Sequence, residues 1–220
     1  MVDKNILIVG GTSGLGLKLS KKLKNINHVF VVGRHDPNVS ELDYIHRDLS
    51  YGEPGVGGLI EFINEPIELL IFASGFYQEG SISQLSDDDV MAMLHVGLTA
   101  PITLISRILK RQNFLPGLIV ITSTSQFIPR PLEPVYTVVK SGLGMFANSI
   151  SLDPAIGKAL VAAPAGMKTP FWHKDGRDTN DMLDPEWVAE QILDLYDDEF
   201  KYKYAHILRS PPRVEVVEKR

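Results

Sequence analysis

The sequence predicts an α/β fold, a doubly wound parallel sheet of about seven strands with helices on both faces. Three observations point there. Short apolar runs rich in β-branched residues recur along the chain, as suits strands covered on both faces. Helical patterns with one apolar face lie between them, so strands alternate with crossovers. A turn with four glycines in seven positions joins the first run to the first helix. No linker, repeat or low-complexity tract divides the 220 residues, so 1–220 reads as one domain.

The first strand is the run ILIV at 6–9, and the helix after it places Leu15, Leu19 and Leu23 at every fourth position with lysines between. HVFVVG at 28–33 is the second strand and YIHRD at 44–48 a weaker third. IELLIFASG at 67–75, GLIVITSTS at 117–125, KALVAAPAG at 158–166 and YAHILR at 204–209 complete the seven. Residues 50–65 are rich in Gly and Pro, which leaves room for a short helix at best. A long helical pattern starts at Ser86, an N-cap residue, with three aspartates in the turn where the helix dipole favours them. Pro101 within it predicts a kink or a break. A second long helix covers 133–151, and a third begins where Asp184 caps and Pro185 takes the first helical position.

Composition narrows the function classes. The net charge is −5 and no basic block or stripe appears, which argues against nucleic acid as a partner. There is no cysteine, hence no disulfide frame, thiolate metal site or cysteine nucleophile. The apolar run near the start is too short for a signal-peptide core or a membrane span, so the expectation is a cytoplasmic protein. His28, His35, His46, His173 and His206 show no metal-ligand spacing, and no metal is expected.

A strand, a Gly-rich turn and a helix in that order make a phosphate site, because the helix N-terminus offers unpaired N–H groups and partial positive charge. The spacing here is Gly10-x-x-x-Gly14-x-Gly16, with Thr12, Ser13 and Leu15 in the same loop, and it departs from the general G-x-G-x-x-G fingerprint. The alternative is a tight turn with no ligand. The second strand ends at Gly33–Arg34, at the place where an acidic residue would hold the ribose of NAD and an arginine suits the 2′-phosphate of NADP. Arg34 therefore predicts NADP(H) over NAD(H); the competing reading is a solvated loop arginine.

Tyr136 and Lys140 lie four residues apart on one helix face. A nearby ammonium favours phenolate over phenol, so Lys140 is expected to lower the tyrosine pKa and let it pass a proton to or from a carbonyl or alcohol oxygen. Ser123 precedes Tyr136 by thirteen residues at the end of the fifth strand, in reach of the same oxygen. One hydroxyl to orient, one phenol to transfer a proton and one lysine to tune it suit hydride transfer beside a nicotinamide.

With these motifs in order, the chain resembles the short-chain dehydrogenase/reductase family from about residue 5 to about residue 195, and the resemblance implies a Rossmann-like sheet. Gly10, Gly14 and Gly16 match the family's glycine motif. Asp48, followed by Leu49, matches its adenine-contacting aspartate. The Asn-Asn-Ala-Gly motif is altered to Phe72-Ala73-Ser74-Gly75. Ser123, Tyr136 and Lys140 match the catalytic set. Pro164 and Gly166 stand in the Pro-Gly region, and Thr169 matches the threonine that touches the nicotinamide amide or a phosphate. The family's asparagine in the helix after the fourth strand is His95 here, which either holds or relays a proton or merely fills the place. The segment near 170–184 is short for the family's substrate lid, and the ending HILRSPPRVEVVEKR departs from the usual one.

Phe76, Tyr77, Phe127, Arg130, Phe171 and Trp172 are expected to line the substrate pocket or to belong to local core. The resulting expectation is an NADP(H)-dependent oxidoreductase acting on a small-molecule carbonyl or secondary alcohol, assembled as a homodimer or homotetramer. The rival is a sensor or scaffold that keeps the cofactor and does little chemistry. Epimerisation or dehydration ranks behind both, since the chain is too short for an added substrate domain.

Overall fold

The computed structural model describes residues 1–176 and 178–220, with the backbone alone for His173, Lys174 and Asp175. The side chain of His173 therefore lies outside the described residues, as does part of the expected lid. The strands are β1 (Asn5–Val9), β2 (His28–Gly33), β3 (Asp43–His46), β4 (Leu69–Phe72), β5 (Leu115–Ile121), β6 (Ile156–Pro164), β7 (Tyr202–Arg209) and β8 (Pro212–Lys219). They form one sheet in the order β3-β2-β1-β4-β5-β6-β7-β8. All neighbours pair parallel except β7 and β8.

The expected strand count is low by one. Val214 of β8 packs on the core, but Arg213, Glu215, Val216 and Val217 are exposed, so β8 lacks the apolar run that marks a covered strand. It pairs antiparallel along one side of β7, with an irregularity at Tyr204/Ala205.

The helices are α1 (Gly14–Leu23), α2 (Glu53–Val56), α3 (Asp87–Leu94), α4 (Ala100–Gln112), α5 (Pro134–Ile150) and α6 (Pro185–Asp197). Successive strand residues face opposite sides, so β1 alone feeds two cores. Leu7 and Val9 join Phe72, Leu118 and Val120 beneath Leu104 and Ile108 of α4 and Leu143 of α5. Ile6 and Ile8 join Ile71, Ile119 and Leu160 beneath Leu19 of α1 and Val188 and Ile192 of α6. Ser86 and Asp184 cap α3 and α6, accepting from the N–H groups of Asp89 and Glu186.

The break predicted by Pro101 is a wide π turn, His95–Thr99, between α3 and α4. It ends with the Ala100 N–H donating to the carbonyl of His95, five residues back. A proline at 101 cannot donate and its ring crowds the carbonyl four residues earlier, and the wider turn relieves that clash. By length and composition the continuous segment Asp87–Gln112 is apolar enough to cross a bilayer. Here its apolar face is spent on the core: Leu104, Ile105 and Ile108 are buried against the sheet.

Candidate active site

Strand order reverses between β1 and β4, so the loops leaving their carboxyl ends diverge and open a crevice. The cleft there has a volume of about 760 Å³, within the range for small-molecule sites. Gly10, Thr12, Ser13, Gly14, Leu15, Gly16, Arg34, Asp48, Leu49, Ala73, Ser74, Gly75, Pro164, Gly166 and Thr169 line it, together with Ser123, Tyr136 and Lys140.

The glycine loop is shaped by close backbone approach. Gly10 has φ +83°, and a Cβ there would lie 2.6 Å from the Ser74 nitrogen of the loop after β4. A Cβ on Gly16 would lie 2.0 Å from the Gly10 carbonyl oxygen. Larger residues would push the loop off the strand end. Ser13, at the N-cap of α1, makes no side-chain cap, which leaves the helix's first N–H groups to face the cleft. That cradle suits the diphosphate of a dinucleotide.

At the far end, Asp48 accepts hydrogen bonds from the N–H and hydroxyl of Ser50 at 3.0 and 2.7 Å. Burial opposes its ionisation, but the Ser50 bonds, with Arg34 and His46 nearby, together hold its carboxyl below the ordinary range. Arg34 is exposed at the end of β2.

Lys140 is buried, and its ammonium donates to the Ile121 carbonyl at 3.0 Å and stands 5.5 Å from the Tyr136 ring centroid. Burial pushes it down to about 8. Tyr136 is half-buried with its ring toward the cleft. Its phenol is raised, not lowered as the spacing suggested: burial dominates, Glu133 adds to it, and the Ser123 hydroxyl works in the opposite direction. The lysine spends its proton on a carbonyl while the phenol sits among rings, with Tyr77 at 5.2 Å and Phe171 at 6.4 Å.

His95 is the candidate that the fold places elsewhere. It does not line the cleft; its ring donates from Nδ1 to the Ser50 carbonyl at 3.0 Å and packs on Gly52. The π turn aims this residue at the 3-10 turn Leu49–Tyr51.

Phe76, Arg130, Phe171 and Trp172 line the cleft as expected, whereas Tyr77 and Phe127 do not. Tyr77 is buried behind Tyr136, and Phe127 stacks on His206 of β7 at 3.8 Å. Arg130 is not a free surface arginine: it donates to the Thr124 hydroxyl at 2.9 Å and lies 3.7 Å from the Glu133 carboxylate. The segment after Thr169 turns through a 3-10 helix, Pro170–Asp175, and Leu183 later forms an isolated bridge with Met167.

Sequence reasoning missed Ser125, Glu133, Asp181 and Arg209, all of which line the cleft. Asp181, shortly before α6, and Arg209, at the end of β7, form an ion pair of 3.3 Å. The only sequence signal for Glu133 was its place in the segment joining Ser123 to Tyr136. Among the described residues, no group of three or more His, Asp or Glu could hold a metal ion.

The chain is similar to known dehydrogenases. The short chain dehydrogenase family model matches residues 4–180. An uncharacterized short-chain type dehydrogenase/reductase of Sinorhizobium fredii is 25% identical over 211 residues, covering 84% of this chain and 82% of that protein. A short-chain dehydrogenase from Sphingobium yanoikuyae in complex with NADPH superposes with a TM-score of 0.77 at 20% identity, covering 88% of this chain and 84% of that one. A 4-hydroxyisoleucine dehydrogenase mutant complexed with NADH and succinate gives 0.82 at 20%, covering 94% and 97%. At such identities the structural likeness shows a shared fold.

Proposed function

The chain belongs to the short-chain dehydrogenase family of NAD(P)-dependent oxidoreductases, and from that premise we propose that it reduces a carbonyl to a secondary alcohol with NADPH. The observation that carries the reading is the convergence of Ser123, Tyr136 and Lys140 on one cleft with the uncapped start of α1.

A bound nicotinamide supplies the hydride. The chain's own residues do the rest. The α1 N-terminus and the loop at 10–16 hold the diphosphate, and Asp48 and Leu49 hold the adenine end. Arg34 offers a fork of donors to a 2′-phosphate, which favours NADPH, although the solved relatives include both NADPH and NADH complexes. Ser123 steadies the carbonyl and Tyr136 gives its proton to the oxygen. A phenol, with an ordinary pKa of about 10, holds its proton at neutral pH, as a donor to the carbonyl oxygen must. Lys140 binds the nicotinamide ribose. Phe76, Phe171 and Trp172 offer an apolar wall for the substrate.

The resemblance implies pairing of two copies through the long helices. Supporting it is the apolar groove between α4 and α5, lined by Ile102, Ile105, Leu109, Phe146 and Ile150.

Fluorescence titration with NADPH and NADH in parallel, followed by turnover of an aldehyde, ketone and quinone panel, tests the reading. Tyr136→Phe is expected to bind NADPH as before and to lose about 100-fold or more in kcat. An unchanged rate removes Tyr136 from the chemistry, and a clear preference for NADH removes the role given to Arg34.

A further inference from the structure

At the substrate end of the cleft stands an arginine whose guanidinium is only partly spent. Arg130 lines the cleft with Ser123, Tyr136 and Trp172, and its charge acts on the Tyr136 phenol. Its Nη2 donates to the hydroxyl of Thr124, a residue 4% exposed, at 2.9 Å. Its carbonyl accepts from the Glu133 N–H at 3.2 Å, and Pro129 and Pro131 on either side lock their own φ. The guanidinium is therefore held in place before any ligand arrives, which lowers the ordering cost of binding.

Glu133 does not use up that fork of donors. An arginine serving only to neutralise a carboxylate typically closes on it with two parallel bonds of about 2.7–2.9 Å. Here Nε stays 3.7 Å from Glu133 Oε2, beyond hydrogen-bond reach, and that oxygen takes its close bond from the Ser125 hydroxyl at 2.6 Å. Nη1 makes no hydrogen bond among the described residues, and the side chain is 41% exposed. The other cations lining the cleft are engaged elsewhere: Lys140 donates to the Ile121 carbonyl, Arg209 pairs with Asp181, and Arg34 and Arg47 adjoin Asp48. Glu133, Asp178 and Asp181 also line the cleft. Those carboxylates disfavour a dianion such as a phosphate monoester, whereas a single carboxylate matches the open fork.

We propose that the substrate is an oxo acid, whose carboxylate Arg130 receives while Phe76, Phe171 and Trp172 cover an apolar or aromatic body. This rests on the assignment of Ser123 and Tyr136 above. The carboxylate and Arg130 take no part in the bond changes. The carbonyl carbon gains the hydride of NADPH and its oxygen gains the Tyr136 proton, which solvent then restores. An oxo acid, NADPH and one proton thus become a hydroxy acid and NADP⁺.

The probes are the ortho, meta and para carboxybenzaldehydes, each assayed with NADPH against its own methyl ester. Within a pair the ring and the carbonyl are shared and the negative charge is not. For at least one pair the wild type is expected to favour the acid about ten-fold or more in kcat/KM. In Arg130→Gln that ratio should fall to about one, with Arg130→Lys between, since an ammonium keeps the charge and loses the fork. General damage to the fold or to hydride transfer cancels in a ratio taken within one variant. No preference for any acid in the wild type, or an undiminished ratio in Arg130→Gln, overturns the proposal. A second readout needs no turnover. In protein labelled with ¹⁵N at arginine and with NADP⁺ present, the Arg130 Nε resonance is assigned by its loss in Arg130→Gln. It should move on titration with the acids and stay in place with the esters. A resonance unmoved by all the acids overturns the proposal, whatever the rates. Undiminished turnover in Tyr136→Phe instead sinks the site assignment and leaves the Arg130 contact standing, so the two failures are distinct.

Discussion

Lys140 shows how one residue can be read correctly for position and incorrectly for effect. Its spacing from Tyr136 places both on one helix face, but the electrostatics depend on what encloses them. Burial pushes the ammonium down to about 8 from an ordinary 10.5. The unfolded chain then binds more protons than the folded one between those two values, so stability attributable to this group rises with pH across that window. At pH 7 both states are protonated and the burial cost is fully present. Urea unfolding of wild type and Lys140→Met from pH 7 to 10.5 should therefore show their difference moving in favour of wild type, by about 3 kcal/mol at most. A difference independent of pH would mean that the ammonium is better solvated than its 3% exposure implies. Glu133 was illegible at this scale for a related reason. Its partner, Ser125, lies eight residues away in sequence, and only the fold makes them neighbours.

At the scale of elements, the glycine turn was legible because its reason is local. Gly16→Ala puts a methyl 2.0 Å from a backbone oxygen, which no flexible side chain can relieve. A loss of about 2–3 kcal/mol in unfolding free energy, with weaker NADPH binding, is expected from denaturation curves and fluorescence titration. Helix starts were legible for the same reason. Ser86 accepts from Asp89 N–H at 3.1 Å and donates to its carboxylate at 2.7 Å, so Ser86→Ala should cost about 1 kcal/mol in the same unfolding assay. β8 was not legible. Proline at its start and charges along it leave no apolar run to mark a strand, and its strand character comes from β7 rather than from its own residues. The aim of His95 was hidden too, because it depends on the π turn and on Gly52, more than forty residues earlier.

For the whole molecule, the doubly wound sheet with helices on both faces followed from alternating apolar runs and amphipathic helices, whereas the strand order and the outer surfaces did not. Val138 and Met145 of α5 are 57% and 67% exposed, and Ile102 of α4, which lines the groove between those helices, is 38% exposed. If two copies meet there, Met145→Glu should shift sedimentation from dimer toward monomer while leaving the melting curve of the isolated fold nearly unchanged. A wild-type sedimentation profile in that variant would place the contact elsewhere. The π turn has a consequence for how the halves of the molecule mesh. Before it, Met93 closes an apolar patch with Val135, Val139 and Tyr136; after it, Leu104 and Ile108 lie on the sheet. An ordinary helix advances about 100° per residue, so the one surplus residue acts as a phase setting between these two surfaces. Removing a residue from 95–99 would leave both segments helical yet out of step, with either the backing of the phenol or the cover of the sheet swung out toward water.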